Sequence, residues 1–156
     1  MFRLSKRTDY GLIALKHLTL HTEQACSAPE IARTYNIPSQ LLAKVLQRLV
    51  RKGLLQSHSG PTGGYALARM PETISVIDVI EALEGPVMMT PCEVGDDCEQ
   101  LQLCSIRDPL RSIKERVIQV LIDTTIHELA ETELLEMNAE KTGIRILKPL
   151  ELGSRD

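Results

Sequence analysis

Aromatic residues make up only 3% of this 156-residue chain: one Phe, three Tyr and no Trp. A core drawn from this composition is aliphatic, and 43% hydrophobic content is enough to build one, most readily from helices. No run of about eighteen apolar residues occurs, which excludes a membrane-spanning helix and any membrane partner of that kind. The stretch Met1-Phe2-Arg3-Leu4-Ser5-Lys6-Arg7 lacks a hydrophobic signal core. A cytoplasmic protein is expected, in a compartment that keeps thiols reduced. Internal repeats and low-complexity tracts are absent. So are a phosphate-binding glycine loop, a nucleotide fingerprint and any pairing of nucleophile with base, so no enzyme is expected.

What charge there is divides along the chain. Residues 1–69 carry ten Lys/Arg and three Asp/Glu, whereas residues 70–156 carry eight and eighteen. The first half can meet a polyanion and the second would be repelled by one.

Apolar periodicity predicts a first helix over about 8–21, entered through Thr8 and Asp9. Ser27-Ala28-Pro29-Glu30 has the pattern of a capping box and opens a second helix reaching about Tyr35. Asn36-Ile37-Pro38-Ser39 is a turn. A third helix follows over 39–52, with Leu42, Val45, Leu46 and Leu49 on one face and Gly53 as its stop. Two short strands then flank the turn Ser59 to Gly64. Helix, helix, turn, helix, hairpin is the order of a winged helix-turn-helix. A further helix over 75–84 closes at Gly85-Pro86. Asp108-Pro109 predicts the start of a long helix to about Ala130, with two apolar stripes: Leu110/Ile113/Val117/Leu121 and Ile118/Ile122/Ile126/Leu129. A helix apolar on two sides needs two partners, its own domain and a second chain. The expected class is therefore mainly α with a small β-hairpin. It comprises a winged helix-turn-helix region (1–85), a cysteine-rich loop (86–108), a dimerisation helix with a short helix from Thr132 to Lys141 (109–141), and a mobile tail (142–156).

In a helix-turn-helix the second helix of the motif enters the major groove. The outward residues here are expected to be Ser39, Gln40, Ala43, Lys44, Gln47, Arg48 and Arg51. Gln pairs with adenine, while Lys and Arg suit guanine or phosphate. Gln40 and Lys44 are assigned to bases, and Arg48, Arg51 and Lys52 to phosphates. The wing tip, with Ser59, Gly60, Thr62 and Gly63, offers backbone N–H groups without bulk, and Tyr65 anchors it by packing. His58 lies beside the wing.

Downstream, Cys92, Cys98 and Cys104 form Cys-x5-Cys-x5-Cys in an acidic loop from Thr90 to Asp108. These gaps are too wide for a zinc knuckle and suit three thiolates around a larger inorganic core such as an iron–sulfur cluster. A zinc site and a metal-free thiol switch are the alternatives, although an acidic loop disfavours low-pKa thiolates. Cys26 reads as a small buried residue. His17 and His21 have metal-binding spacing but no third ligand, which favours a core or surface role.

Leu4-Ser5-Lys6-Arg7-Thr8-Asp9-Tyr10-Gly11-Leu12, Lys52-Gly53-Leu54, Gly60-Pro61-Thr62-Gly63-Gly64-Tyr65 and the three cysteines together resemble one bacterial family of winged-helix regulators, over about residues 2–130. That family includes the iron–sulfur regulator IscR, the nitric-oxide sensor NsrR, the SUF-system assembly regulators and the cluster-free cysteine regulator CymR. The resemblance implies a homodimeric transcription factor on a double-stranded DNA operator, with a long helix crossing the dimer and cluster occupancy selecting operators. Cys92, Cys98 and Cys104 match the cluster cysteines of a 2Fe-2S or 4Fe-4S centre, with cluster-assembly scaffold proteins as donors. IscR-type proteins carry a His where this chain has Arg107. NsrR-type proteins use an acidic residue of the first helix, supplied by the partner chain, and Asp9 matches it. Glu93, Asp96, Asp97, a thiol or water are the other candidates. The stretch from Gly63 to Arg69 and that from Ile74 to Pro86 look most like the SUF-type branch. The implied role is a repressor of cluster-assembly genes, with a nitric-oxide-sensing repressor as the alternative.

Overall fold

Hydroxyl side chains set where the helices begin. A computed structural model describes residues 4–90 and 103–132, and in it Ser5 caps α1 (Lys6–Leu20), its Oγ accepting the Arg7 N–H at 3.2 Å. The expected start at Thr8 and Asp9 is thus too late. Thr8 lies inside the first turn, fully buried, and its Oγ1 donates to the Glu84 carboxylate at 2.6 Å. Ser27 and Glu30 form the expected capping box of α2 (Ala28–Thr34). Ser75 and Asp78 form another at α4 (Val76–Glu84).

Between them, α3 (Ser39–Arg51) buries Leu42, Val45, Leu46 and Leu49, as its periodicity requires. It ends at Lys52, and Gly53 follows at φ +71°, a conformation glycine adopts without strain. Strands β1 (Leu55–His58) and β2 (Gly64–Leu67) pair antiparallel from Leu55↔Leu67 to His58↔Gly64. A third segment joins them: Cys26 and Tyr65 exchange backbone hydrogen bonds at 3.0 and 2.8 Å. This pairing needs glycine at 64, where a Cβ would lie 2.5 Å from the Cys26 carbonyl oxygen. Fully buried Leu15, Ile31, Leu42, Leu46, Leu49 and Leu55 make the aliphatic core, and Tyr65 packs on it. Gly11 lets α4 approach α1, since a Cβ there would stand 2.6 Å from Leu83 Cδ1.

The last long helix departs from its expected bounds at both ends. α5 spans Arg107–Asp123 and has no side-chain cap, because it starts ahead of Asp108 with apolar Ile106 at the N-cap, while Asp108 pairs with Arg107 at 3.1 Å within the first turn. It stops at Thr124, well short of Ala130. There the chain is stitched to the entry of α4: Val76 N–H donates to the Thr124 carbonyl, and Ile126 N–H to that of Ile74, both at 2.9 Å. Thr125 and Glu128 then cap each other reciprocally, and helix resumes over 126–132. The break redistributes the two apolar stripes. Leu121 and Leu129 pack on a second apolar cluster (Val76, Ile77, Ile80, Val87), and Ile126 is fully buried in the main core. Ile113, Val120 and Ile122 remain 47%, 64% and 45% exposed, and no residue of α5 is buried. The tail 142–156 and all but the first residue of the expected Thr132–Lys141 helix lie outside the described residues.

Glu84, at the end of α4, accepts hydrogen bonds from both Ser5 Oγ and Thr8 Oγ1. These bonds, Ser5 first, hold its carboxyl below the ordinary value of 4.5. A depressed carboxylate pKa contributes stability that is present above the unfolded-state value and lost as pH falls through the folded one. Glu84→Gln is expected to lower the urea midpoint at neutral pH, and the gap to wild type should close as pH drops below 4.5. A gap that stays constant over that range in urea titrations would contradict this role.

Candidate nucleic-acid interface and cysteine segment

Burying one face of α3 leaves the other to solvent, except that Ala43, expected outward, is half-buried against the core because it neighbours the Leu42 and Leu46 face. Ser39, Gln40, Lys44, Gln47, Arg48 and Arg51 are exposed, as is Lys52 just past the helix end. Ser39 and Gln40 stand in its first turn, where no side chain caps the helix, so backbone N–H groups add to the anion-attracting end. Arg48 and Arg51 occupy the last turn. Ser59, Gly60 and Thr62 at the wing tip are exposed and Gly63 is half-buried. Gly63 cannot carry a side chain, because its Cβ would meet the His58 carbonyl oxygen at 2.4 Å. Gly60, at φ +114°, turns the chain. An open groove of about 400 Å³, lined by Gln47, Val50, Arg51, Ser57 and Tyr65, runs between helix and wing. Of the predicted residues, Gln47 and Arg51 line this groove; the remaining helix and wing-tip residues lie outside its lining.

Arg48 has a contact that periodicity does not reveal. Its Nε donates to the Ala82 carbonyl, in the last turn of α4, at 2.8 Å. A guanidinium held there is only partly available to phosphate.

Of the three cysteines, Cys104 lies among the described residues, half-buried with a free thiol just before α5. Cys92, Cys98, Glu93, Asp96 and Asp97 lie outside them. The segment leaves from α4 and rejoins at α5, two helices that pack on each other. Donor chemistry fits an iron–sulfur core: three soft thiols close in sequence, in a segment with no fourth cysteine. Asp9 is paired with Lys6 at 3.5 Å and its side chain is 40% exposed, so it remains reachable by a second chain. Arg107 opens α5 and pairs with Asp108. Cys26 is buried beneath the wing, and burial first, then the Glu30 carboxylate, push its thiol pKa up, which suits a packing role. His17 is also buried; its ring stacks on His21 with centroids 4.1 Å apart and meets the Tyr35 hydroxyl at 3.2 Å. The pair is core and surface, as expected. Among the described residues no cluster of three His, Cys, Asp or Glu side chains could hold a metal, and no helix is long and apolar enough to cross a membrane.

Residues 4–132 match the model of the Rrf2 family, described as iron-dependent transcriptional regulators. The protein aau3 of Rhizobium meliloti is 34% identical over 131 residues, covering 83% of this chain and 85% of that protein. CymR of Bacillus subtilis is 34% identical over 129 residues, covering 82% and 89%. IscR of Erwinia tasmaniensis is 27% identical over 140 residues, covering 89% and 85%. The solved structure of B. subtilis CymR, the global cysteine regulator, superposes with a TM-score of 0.71 at 32% identity, over 85% of this chain and 98% of that one.

The sequence assigns Gln40 to bases and Arg51 to phosphates, and the two roles differ in their expected readouts. Gln40→Ala is expected to lose about 1–3 kcal/mol of discrimination at one base pair while leaving the salt dependence of binding intact. Arg51→Ala should weaken all sequences alike and lower the salt slope by about one. Binding titrations on matched and single-mismatch duplexes at several salt concentrations distinguish the two. A uniform loss for Gln40→Ala would remove it from the bases.

Proposed function

Because the chain belongs to the Rrf2 family of transcriptional regulators, we propose that it is a DNA-binding repressor whose cysteine segment holds an iron–sulfur cluster and whose targets are cluster-assembly genes. The observation that carries this reading is the triplet Cys92, Cys98 and Cys104 in the segment joining α4 to α5, directly after a winged helix-turn-helix.

The chain's own residues would act as follows. Helix α3 enters the major groove, where Gln40 and Lys44 reach base edges, with Ser39 and Gln47 beside them. Arg51, Lys52 and the free part of the Arg48 guanidinium hold phosphates, and Ser59, Gly60, Thr62 and Gly63 bring the wing backbone to the duplex. The exposed apolar residues of α5 pack against the same helix of a second chain, which sets the two recognition helices about 34 Å apart, one turn of duplex. Cys92, Cys98 and Cys104 ligate the cluster, with Asp9 of the second chain as the fourth donor. When bound, that group supplies iron sites that can be oxidised or lost, and a lone oxygen ligand leaves it easier to lose than a fourth thiolate would.

Two other readings have specific support. Asp9 matches the acidic ligand of nitric-oxide-sensing relatives, which favours a nitric-oxide-responsive repressor. The 34% identity to CymR, a global cysteine regulator, favours a thiol switch without a cluster.

Selection of duplexes from a random pool by the anaerobically purified protein should enrich a palindrome with half-sites one turn apart. Cys104→Ala is then expected to bind that duplex at least about tenfold differently from wild type, a change of roughly 1.4 kcal/mol. Equal binding by the two proteins would contradict control by the cysteine segment. Exposure to nitric oxide and to disulfide oxidants separates the alternatives, since each predicts loss of binding with its own reagent.

A further inference from the structure

We infer that Arg48 is a positioning residue through which the state of the cysteine segment reaches the recognition helix. This rests on the functional reading above and names the residue that carries its regulation.

The Arg48 Nε–Ala82 carbonyl bond, 2.8 Å, joins α3 to α4 across 34 positions of sequence. Ala82 stands in the last turn of α4, where carbonyls lack partners within the helix. The Glu81 carbonyl is taken by the Gly85 N–H at 3.1 Å, and that of Ala82 by the arginine. A cation at this end also meets the negative pole of the helix, so the bond is charge-assisted. Because Nε is the inner nitrogen of a planar group, the bond fixes the plane of the whole guanidinium.

One exit of the cysteine segment leads straight to the acceptor side of this bond, and the other leads into a helix packed on the same α4 through Leu121. Beyond Ala82 the helix closes at Gly85, φ +93°, and Pro86 leads toward Cys92. At the other end Cys104 precedes α5, which packs on α4. An open cleft of about 400 Å³ borders Ala82, Gly85 and Pro86, so the end of α4 has space on that side to shift. On the donor side, Lys44 lies four residues before Arg48 and Arg51 three after it, which places all three on one face of α3. A displacement of the Ala82 carbonyl is therefore delivered to the face that meets DNA.

The test compares wild type, Arg48→Ala, Arg48→Gln and Arg51→Ala on the selected duplex, each cluster-loaded and cluster-free, over a range of salt. In wild type the two forms should differ in affinity. Arg48→Ala is expected to shrink that ratio about fivefold or more, the range of ordinary allosteric coupling. Arg48→Gln, which keeps an N–H donor without the charge, should give an intermediate ratio and decides the matter if Arg48→Ala does not fold. Arg51→Ala should lower both affinities and keep the ratio. Amide exchange supplies a readout independent of DNA: in wild type, α3 and the last turn of α4 should change protection together between the two forms, whereas in Arg48→Ala only α4 should. If the ratio and the joint change survive in Arg48→Ala, the assignment is overturned and Arg48 serves as a phosphate contact alone. If wild type itself holds no iron, or binds equally in both forms, the functional reading fails and takes this inference with it.

Discussion

Two sets of hydrogen bonds pin the C-terminal turn of α4. The hydroxyls of Ser5 and Thr8 converge on the Glu84 carboxylate, and Arg48 holds the Ala82 carbonyl. The first set fixes the start of α1 and the second fixes α3. Apolar packing reinforces both, with Val79 and Leu83 of α4 in the main core and Val76, Ile77 and Ile80 in the second cluster with Leu4 and Leu121. The opposite end of α4 receives the rest of the chain. Helix α5 is seated against α4, and the chain beyond it is stitched to the entry of α4 at Ser75 and Thr125. The end of α4 is close-packed toward α1 and α3 and open toward the cleft beside Gly85 and Pro86, so a shift there is passed to its hydrogen-bonded partners.

The division of charge gives this arrangement its use. The basic first half presents one helix face and a glycine-rich wing, while the remainder of the chain carries eight Lys/Arg against eighteen Asp/Glu. The wing depends on close backbone approach: Gly63 and Gly64 lie where a Cβ would strike the carbonyls of His58 and Cys26. Tyr65 then docks the hairpin on the aliphatic core through two backbone bonds to Cys26.

Much of the fold was legible because its signals are local. The boxes at Ser27/Glu30 and Ser75/Asp78, the stop at Gly53 and the apolar face of α3 each follow from residues within one or two turns. The errors came where tertiary partners outweigh local preference. Ser5 caps α1 because Thr8 is drawn inward to Glu84, 76 positions away. Thr124 ends α5 because its carbonyl is claimed by Val76 N–H, and the Thr125-Ile126-His127-Glu128 capping box that restarts the helix was there to be read. For the candidate site, the exposed face of α3 and the wing glycines could be placed from the sequence, since the core face of the helix defines its opposite. The Arg48–Ala82 bond could not, because nothing in the spacing of α3 shows which outward arginine meets another helix. The cysteine triplet was read as donor chemistry and through a resemblance, and Cys92 and Cys98 lie outside the described residues.

The central claim is that three thiols of this chain hold an iron–sulfur cluster. Protein purified without oxygen should be brown, with iron and acid-labile sulfide in equal amounts and sulfur-to-iron charge-transfer bands in the visible spectrum, whose shape separates two-iron from four-iron centres. A colourless, iron-free protein that remains so after reconstitution with iron and sulfide would contradict it.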